Sequence, residues 1–280
     1  MNSWNTSMES IKRLFLPKPI TLSNGKVIQP KMSPAIYVVP ILAFMTLYSI
    51  QLTGFKLATL FKRGYQFFVI LDGMIPPNMA YFEKVWEPLL ATIMMSILGT
   101  VIGSVLALPA AYLSSENMMK SKIVKFITKA FLSVVRTFPI LVLALLFRII
   151  FGIGAFAGTM AIGIFTFTIM TKMFYELIDT ADMGPFEALM SSGASRIQAF
   201  WVSIMPQLWG QYFSLVLYNF EMNIRNATVL GYVGAGGIGL ILNERLGWRV
   251  YPDVGLILLV MMITVYLIES LSRTIRKKLL

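Results

Sequence analysis

The chain contains no cysteine and no histidine among its 280 residues. Without cysteine there is no disulfide framework, no thiolate metal site and no cysteine nucleophile. Without histidine the usual general base and the commonest metal ligand are missing. Charge is scarce as well: 13% of residues are Asp, Glu, Lys or Arg, against about 25% in soluble domains. These shortages exclude most enzyme classes. Apolar residues are abundant, at 57% of the chain, with a mean hydropathy of +0.73. The implied solvent is the bilayer.

An apolar run of about 20 residues is long enough to cross hydrocarbon as a helix. Such runs occupy 34–54, 89–112, 123–147, 149–171, 207–231 and 254–268, which predicts an all-α integral membrane protein with about six transmembrane helices. Lys125, Lys129, Arg136 and Pro139 interrupt the third run, and Glu221 and Arg225 lie within the fifth. Gly99 and Gly103 give the second run a small-residue face suited to close helix packing. The domain reading is a basic arm over 1–33 followed by a transmembrane domain over 34–280.

A net charge of +11 invites a nucleic-acid reading. Its distribution argues otherwise, because Lys and Arg sit mostly between apolar runs, as juxtamembrane residues do. No basic face with interleaved aromatics forms, so no nucleic-acid partner is expected. Fifteen basic residues fall in 1–33, 113–130, 172–206 and 269–280, against seven in 55–88, 148–156 and 232–253. That bias puts both termini in the cytoplasm. Arg148, at the opposite end, is expected to snorkel towards water.

Several motif matches carry no chemistry. Gly234-Ala-Gly236-Gly-Ile-Gly239 spells a dinucleotide fingerprint but follows a membrane run instead of a strand. Gly25-Lys26 lacks the earlier glycine of a P-loop, and Asp179 with Asp182 lacks the further carboxylates of a Mg²⁺ site. No metal or cofactor is expected on this chain, so nucleotide energy would have to enter through another polypeptide.

The loop over 176–206 is too polar to cross and too long for a tight turn. Phe186, Leu189, Met190, Ile197, Phe200 and Trp201 recur with helical periodicity. Gly193 divides the segment into two helices, 185–192 and 195–204, with Ser195 as the N-cap of the second. Two readings follow from an apolar stripe here: it docks into a partner's groove, or it lies among lipid headgroups.

The same segment, with Glu187-Ala188-Leu189, Gly193 and Pro206, resembles the EAA loop of ABC importer permeases. It departs at Leu189, Ser203 and Met205, where alanine, isoleucine and leucine are usual in that family. The stretch from Phe220 to Gly239 resembles the fifth span of phosphonate-import permeases, a branch related to methionine-import permeases. Arg136-Thr137-Phe138-Pro139 resembles a basic-x-x-proline element of that group. The resemblance covers roughly 85–275 and implies a type I importer (MetI-like) fold with cytoplasmic coupling helices. It implies ATPase-coupling roles for Glu187, Ala188, Gly193, Ala194, Ser195, Arg196 and Pro206, and phosphonate or a related phosphorus oxyanion as cargo. The implied partners are a second copy of the chain, a cytoplasmic ABC ATPase dimer holding ATP and Mg, an extracytoplasmic substrate-binding protein, and the lipid of a bacterial inner membrane.

The candidate pathway or gate comprises Arg136, Glu221, Asn223, Arg225, Asn226, Thr228, Gly234, Gly236 and Gly237. An isolated charge at mid-bilayer costs about 2.5–3.5 kcal/mol, and Glu221 and Arg225, four residues apart on a helix, reduce that cost by pairing. The pair reads either as a structural bridge or as a pathway element presenting Arg225 to an anion. The glycines read either as a source of anion-binding N–H groups or as a means of close packing. Two other transport readings stay open: a permease for methionine or another small solute, and an ATP-independent secondary transporter using Glu221 and Glu269 as its only carboxylates within spans. An intramembrane enzyme would need a catalytic constellation that the sequence does not display.

Overall fold

The computed structural model describes residues 20–21, 25, 27–28 and 35–279. It divides into two compact units, Met1–Val69 and Ile70–Leu280. In the first, Ile20–Thr21 (β1) pairs antiparallel with Val27–Ile28 (β2), Ile20 opposite Ile28. The rest of the basic arm over 1–33 lies outside the described residues. Helix α1 (Ala35–Thr53) is apolar all round and exposes side chains such as Phe44 and Leu47, as a lipid-facing helix does. Helix α2 (Leu57–Arg63) follows, and α3 (Tyr65–Gly73) leads into the second unit.

That unit begins with a 3₁₀ turn (Met79–Tyr81) and the long helix α4 (Phe82–Ser114). Then come α5 (Lys122–Arg136), α6 (Ile140–Phe151) and α7 (Ala155–Thr180). Two short helices, α8 (Gly184–Ser191) and α9 (Arg196–Ala199), precede a π-helical turn over Phe200–Ile204. Helix α10 (Met205–Leu230) continues from that turn, followed by a 3₁₀ turn (Gly231–Val233), α11 (Ile238–Gly247) and α12 (Tyr251–Leu279).

Helices α4 and α7 form the spine. A Cβ on Gly99 would come within 2.6 Å of Ile162 Cγ2, and one on Gly103 within 2.6 Å of the Gly163 carbonyl oxygen. The small-residue face is therefore used as expected, letting the two backbones approach. Along α4 the hydroxyls of Thr92, Ser96 and Thr100 donate to carbonyls one turn back, which satisfies them without water.

Three segments in the range 79–279 are long and apolar enough to cross a membrane: Met79–Ser114, Ala155–Thr180 and Tyr251–Leu279. Two bent pairs of apolar helices raise the number to five. Helix α10 matches them in length at 26 residues but carries Asn219, Glu221, Asn223, Arg225 and Asn226. Of the six expected crossings, those at α4, α7 and α12 are single apolar helices, those at α1 and at α5 with α6 belong to the bent pairs, and α10 is not counted because of its polar residues; three corrections of shape follow. Residues 123–147 do not form one straight helix, because α5 and α6 meet at an 86° bend. Pro139 excludes the residue before it from helical geometry, and the helix ends there. The fourth crossing begins at Ala155 instead of residue 149, after Gly152 and Gly154 take positive φ. The segment 55–88, read as a loop, holds α2, α3 and the start of α4.

Candidate functional site

At one end of the second unit, α8 and α9 fold back against the ends of α4, α7 and α10. Helix α8 carries Pro185 in its first turn, where a missing N–H costs nothing. It stops at Gly193, which takes φ +91°. There the N–H groups of Gly193 and Ala194 donate to the carbonyls of Met190 and Leu189, a left-handed helix stop open chiefly to glycine. Ser195 opens α9 with a capping box: its N–H donates to Gln198 Oε1 at 2.9 Å, and its hydroxyl accepts from the Gln198 N–H. Helix α9, the π turn and α10 then run without a break, so the second helix of the loop and the polar span form one rod. Pro206 lies exposed in its first turn.

Arg196 fastens this rod to the rest of the end. Its guanidinium donates to the carbonyls of Asn117 (2.7 Å) and Met118 (2.9 and 3.1 Å) and lies over the Phe186 ring at 5.5 Å. The loop bearing those carbonyls is itself held by Asp179, which accepts from the Ser115 hydroxyl at 2.5 Å and the Asn117 N–H at 3.3 Å. Gln207 ties α10 to the residue beyond α7, exchanging bonds of 3.2 Å with the backbone of Asp182.

The apolar stripe does something other than expected. Phe186 and Phe200 are 3% and 4% exposed, and Leu189 and Met190 pack beside them against Met118, Phe174, Ile178 and Tyr212. Only Ile197 and Trp201 of the six remain open. The stripe is spent sealing the protein's own end, because apolar residues of α4, α7 and α10 such as Ala111, Phe174 and Tyr212 meet there and need covering. What α8 leaves exposed is a polar and small-residue face of Glu187, Ala188, Ser191 and Ser192, continued by Gly193.

The second cluster lies deep along α10. Glu221, with its side chain 8% exposed, accepts from Arg225 at 2.9 Å and from Arg276 at 3.2 Å. Arg225 also faces Glu269 at 3.8 Å, and Glu269 accepts from Arg273 at 2.6 Å. The predicted Glu221–Arg225 pair forms, and three residues of α12 that sequence reasoning had not linked to it complete a cluster of three arginines and two glutamates. Arg225 keeps 46% of its side chain exposed.

The remaining candidates go elsewhere. Asn223 turns inward, donating to Thr100 Oγ1 (2.8 Å) and Thr166 Oγ1 (2.7 Å), and so joins α10 to both helices of the spine. Thr228 bonds the Ile224 carbonyl of its own helix, and Asn226 is half-buried. Gly234, Gly236 and Gly237 all take positive φ in a packed loop. That loop is pinned by Gly154 N–H to the Gly234 carbonyl (3.2 Å) and by Ile238 N–H to Thr92 Oγ1 (2.7 Å). A Cβ on Gly236 would sit 2.7 Å from the Ala155 nitrogen, so close packing is the part these glycines visibly play. Arg148, expected to snorkel, donates to the Val233 carbonyl at 3.0 Å and lies against Gly234. Arg136 is exposed in the last turn of α5, beside the bend, and joins neither cluster.

Comparison with known proteins fits this geometry. Residues 99–279 match the family described as "binding-protein-dependent transport system inner membrane component". The chain is 33% identical over 221 residues to the phosphite transport system permease protein PtxC of Stutzerimonas stutzeri, covering 79% of this chain and 80% of that one. It is 33% identical over 211 residues to the phosphate-import permease protein PhnE of Mycolicibacterium smegmatis, covering 75% and 40% respectively. Among solved structures, the MetNI methionine ABC transporter in inward-facing conformations superposes with a TM-score of 0.64 at 20% identity, over 72% of this chain and 99% of that one. At that identity the likeness speaks for the fold, which is the expected MetI-like, type I importer fold. Helices built for lipid, an end loop clasped to the longest polar span and a match over more than half the sequence agree, and the chain belongs to the binding-protein-dependent transport system inner membrane components, the permease family of ABC importers.

Proposed function

We propose that the chain is the permease subunit of an ATP-driven importer carrying phosphonate or a related phosphorus oxyanion into the cytoplasm. One observation supports this most: the second helix of the loop that bears Gly193 and the span bearing Arg225 are a single rod, clasped at its end by Arg196. A displacement applied to the exposed face of α8 reaches the rod across the Gly193 turn and through Arg196, which lies over the Phe186 ring of α8, and from Arg196 to α10 the helix is unbroken. Glu187, Ala188, Gly193 and Ala194 take the contact; Ser195, Arg196 and Pro206 keep the rod's end in shape.

The energy comes from a separate dimeric ATPase that holds ATP and Mg, since this chain offers no P-loop. Two copies of the permease form the pathway, an extracytoplasmic binding protein delivers cargo, and both termini face the cytoplasm of a bacterial cell. Arg225 is the half-exposed cation of the α10 cluster and meets the anion there; Glu221 and Glu269 hold it in place while water is absent. The relatives named for phosphite and phosphate support a phosphorus oxyanion over methionine, which is the runner-up by fold.

The test is reconstitution of the permease with its ATPase and binding protein in vesicles. ATP hydrolysis should rise with phosphite, methylphosphonate or phosphate and stay flat with methionine. Uptake that continues without the ATPase would turn the reading towards a secondary transporter. Gly193→Val or Glu187→Lys should abolish uptake while the protein still reaches the membrane; normal uptake in either would remove the coupling role.

A further inference from the structure

Helix α5 is unlike every other apolar helix of the second unit. Its chain-facing side is thin, with Leu132 alone buried, while Ile123, Phe126, Ile127, Phe131 and Val134 are each more than half exposed. Lys122, Lys125, Lys129 and Arg136 recur at spacings of three, four and seven along another face, which places one basic edge beside one apolar edge. The helix turns through 86° into α6. Its depth is fixed by its contacts: Lys125 and Lys129 pair with Glu116 in the loop after α4, and Lys129 lies over the Tyr175 ring near the end of α7. That is the end where α8 and α9 sit. A helix with such edges, at such a depth, has the makeup of one lying in the membrane interface.

The basic edge also borders a cavity of about 490 Å³ lined by Glu116, Lys122, Lys125, Phe126, Lys129, Ala130 and Ser133. One carboxylate against three ammonium groups leaves it positive, with Ser133 as a neutral hydrogen-bonding group and Phe126 turned towards the apolar side.

We infer that α5 lies in the plane of the leaflet next to the coupling loop, its apolar edge in the acyl chains, and that the Lys122–Lys125–Lys129 cavity takes the phosphate of an anionic lipid headgroup. The charge of the cavity selects the lipid, and the apolar edge selects a bilayer over any soluble phosphate. The name of that leaflet, cytoplasmic, rests on the proposed function; the in-plane seating does not. Because Arg196 bonds the carbonyls of the loop that also carries Glu116, a lipid held here sits beside the same loop that clasps the coupling helices. The permease would therefore sense the charge of its own membrane.

The absence of cysteine makes the test direct. Ile127→Cys and Ser133→Cys give single labelling sites for a fluorophore in the full chain, assembled with its ATPase in nanodiscs. Nitroxide-bearing lipids should quench the Ile127 label whether their headgroup is phosphatidylcholine or phosphatidylglycerol. The Ser133 label should be quenched more by the phosphatidylglycerol form, and Lys122→Gln should lower that preference roughly fivefold, as expected for one lysine near an anionic surface. Equal quenching of the Ser133 label by both lipids would overturn the headgroup site. An Ile127 label that ignores nitroxide lipid but crosslinks to the same position in a second copy would overturn the seating and make this face an interface between copies. Loss of the preference on adding soluble phosphite would make the cavity a cargo site instead. None of these readouts uses ATP or transport, so a failed uptake assay leaves them intact.

Discussion

Helix α10 is fastened twice, and the two fastenings are built differently. At its start Arg196 is satisfied by backbone carbonyls of a loop, at the boundary with water, beside a packed aromatic cluster. Deep along its length Glu221 is satisfied by Arg225 and Arg276, with no backbone group involved. Carbonyls at a loop are neutral and can be hydrated once the arginine is gone. A buried carboxylate between two guanidiniums has no such fallback, since removing one partner leaves an uncompensated charge. The end clasp tolerates movement; the deep one demands matched charge.

The first way to break this contrast is Glu221→Ala. It should cost about 3–5 kcal/mol, as loss of one partner from a buried ion pair does, read as a lower melting temperature of the detergent-purified protein. Adding Arg276→Ala should restore more stability than adding Arg225→Ala, because Arg225 retains Glu269 at 3.8 Å whereas Arg276 is left with a buried Nε that already lacks a partner. Equal rescue by the two double variants would erase the distinction. Arg196→Ala comes next, with an expected loss of about 1.5–3 kcal/mol for hydrogen bonds from a charged donor. Its mark should be ATP hydrolysis that persists while uptake falls, and Arg196→Lys should recover part of the uptake. If Arg196→Ala melts as low as Glu221→Ala, the end clasp is no softer than the deep one. Ser195→Ala, which removes only the cap, should cost about 1 kcal/mol and lower uptake without abolishing it.

The smallest effect concerns Glu116 at the boundary with water. Its hydrogen bond from Lys125, then that from Lys129, holds its carboxyl down at about 2, from an ordinary 4.5. A depressed acid stabilises above its unfolded value and gives that up as pH falls through its folded one. The attachment of α5 should therefore survive at pH 4.5 and weaken only towards about 2, followed by hydrogen exchange of the α5 amides. Release already near neutral pH would show that this pairing contributes nothing.

Much of the architecture could be read from residue order because its causes are local. Gly193 as a stop, Ser195 as a cap and Glu221 with Arg225 at one turn's spacing each depend on residues within four positions, and each is where it was expected. What escaped has causes that lie far apart in the chain. Arg276 is 55 residues from Glu221, Arg148 is 85 from Val233, and Arg196 is 78 from Met118. Periodicity identified the apolar stripe at Phe186 and Phe200 but not its destination, since a stripe facing a partner and one facing its own bundle have the same spacing. The bend after α5 did leave a signal: Pro139 follows a helix whose lysines keep to one edge.

One further consequence follows from the π-helical turn at Phe200–Ile204. A π turn takes one residue more than an α turn to complete, and in an α-helix each residue advances the side-chain azimuth by about 100°. The turn therefore takes up its surplus residue without passing on a rotation, so that Asn223 looks into the spine and Arg225 away from it as they would beyond an unbroken α-helix one residue shorter. Deleting one residue there would close the turn to an ordinary α turn and keep that aim, whereas deleting one residue from the α-helical stretch between Met205 and Asn219 would rotate the polar face by about 100° and aim the same charges elsewhere.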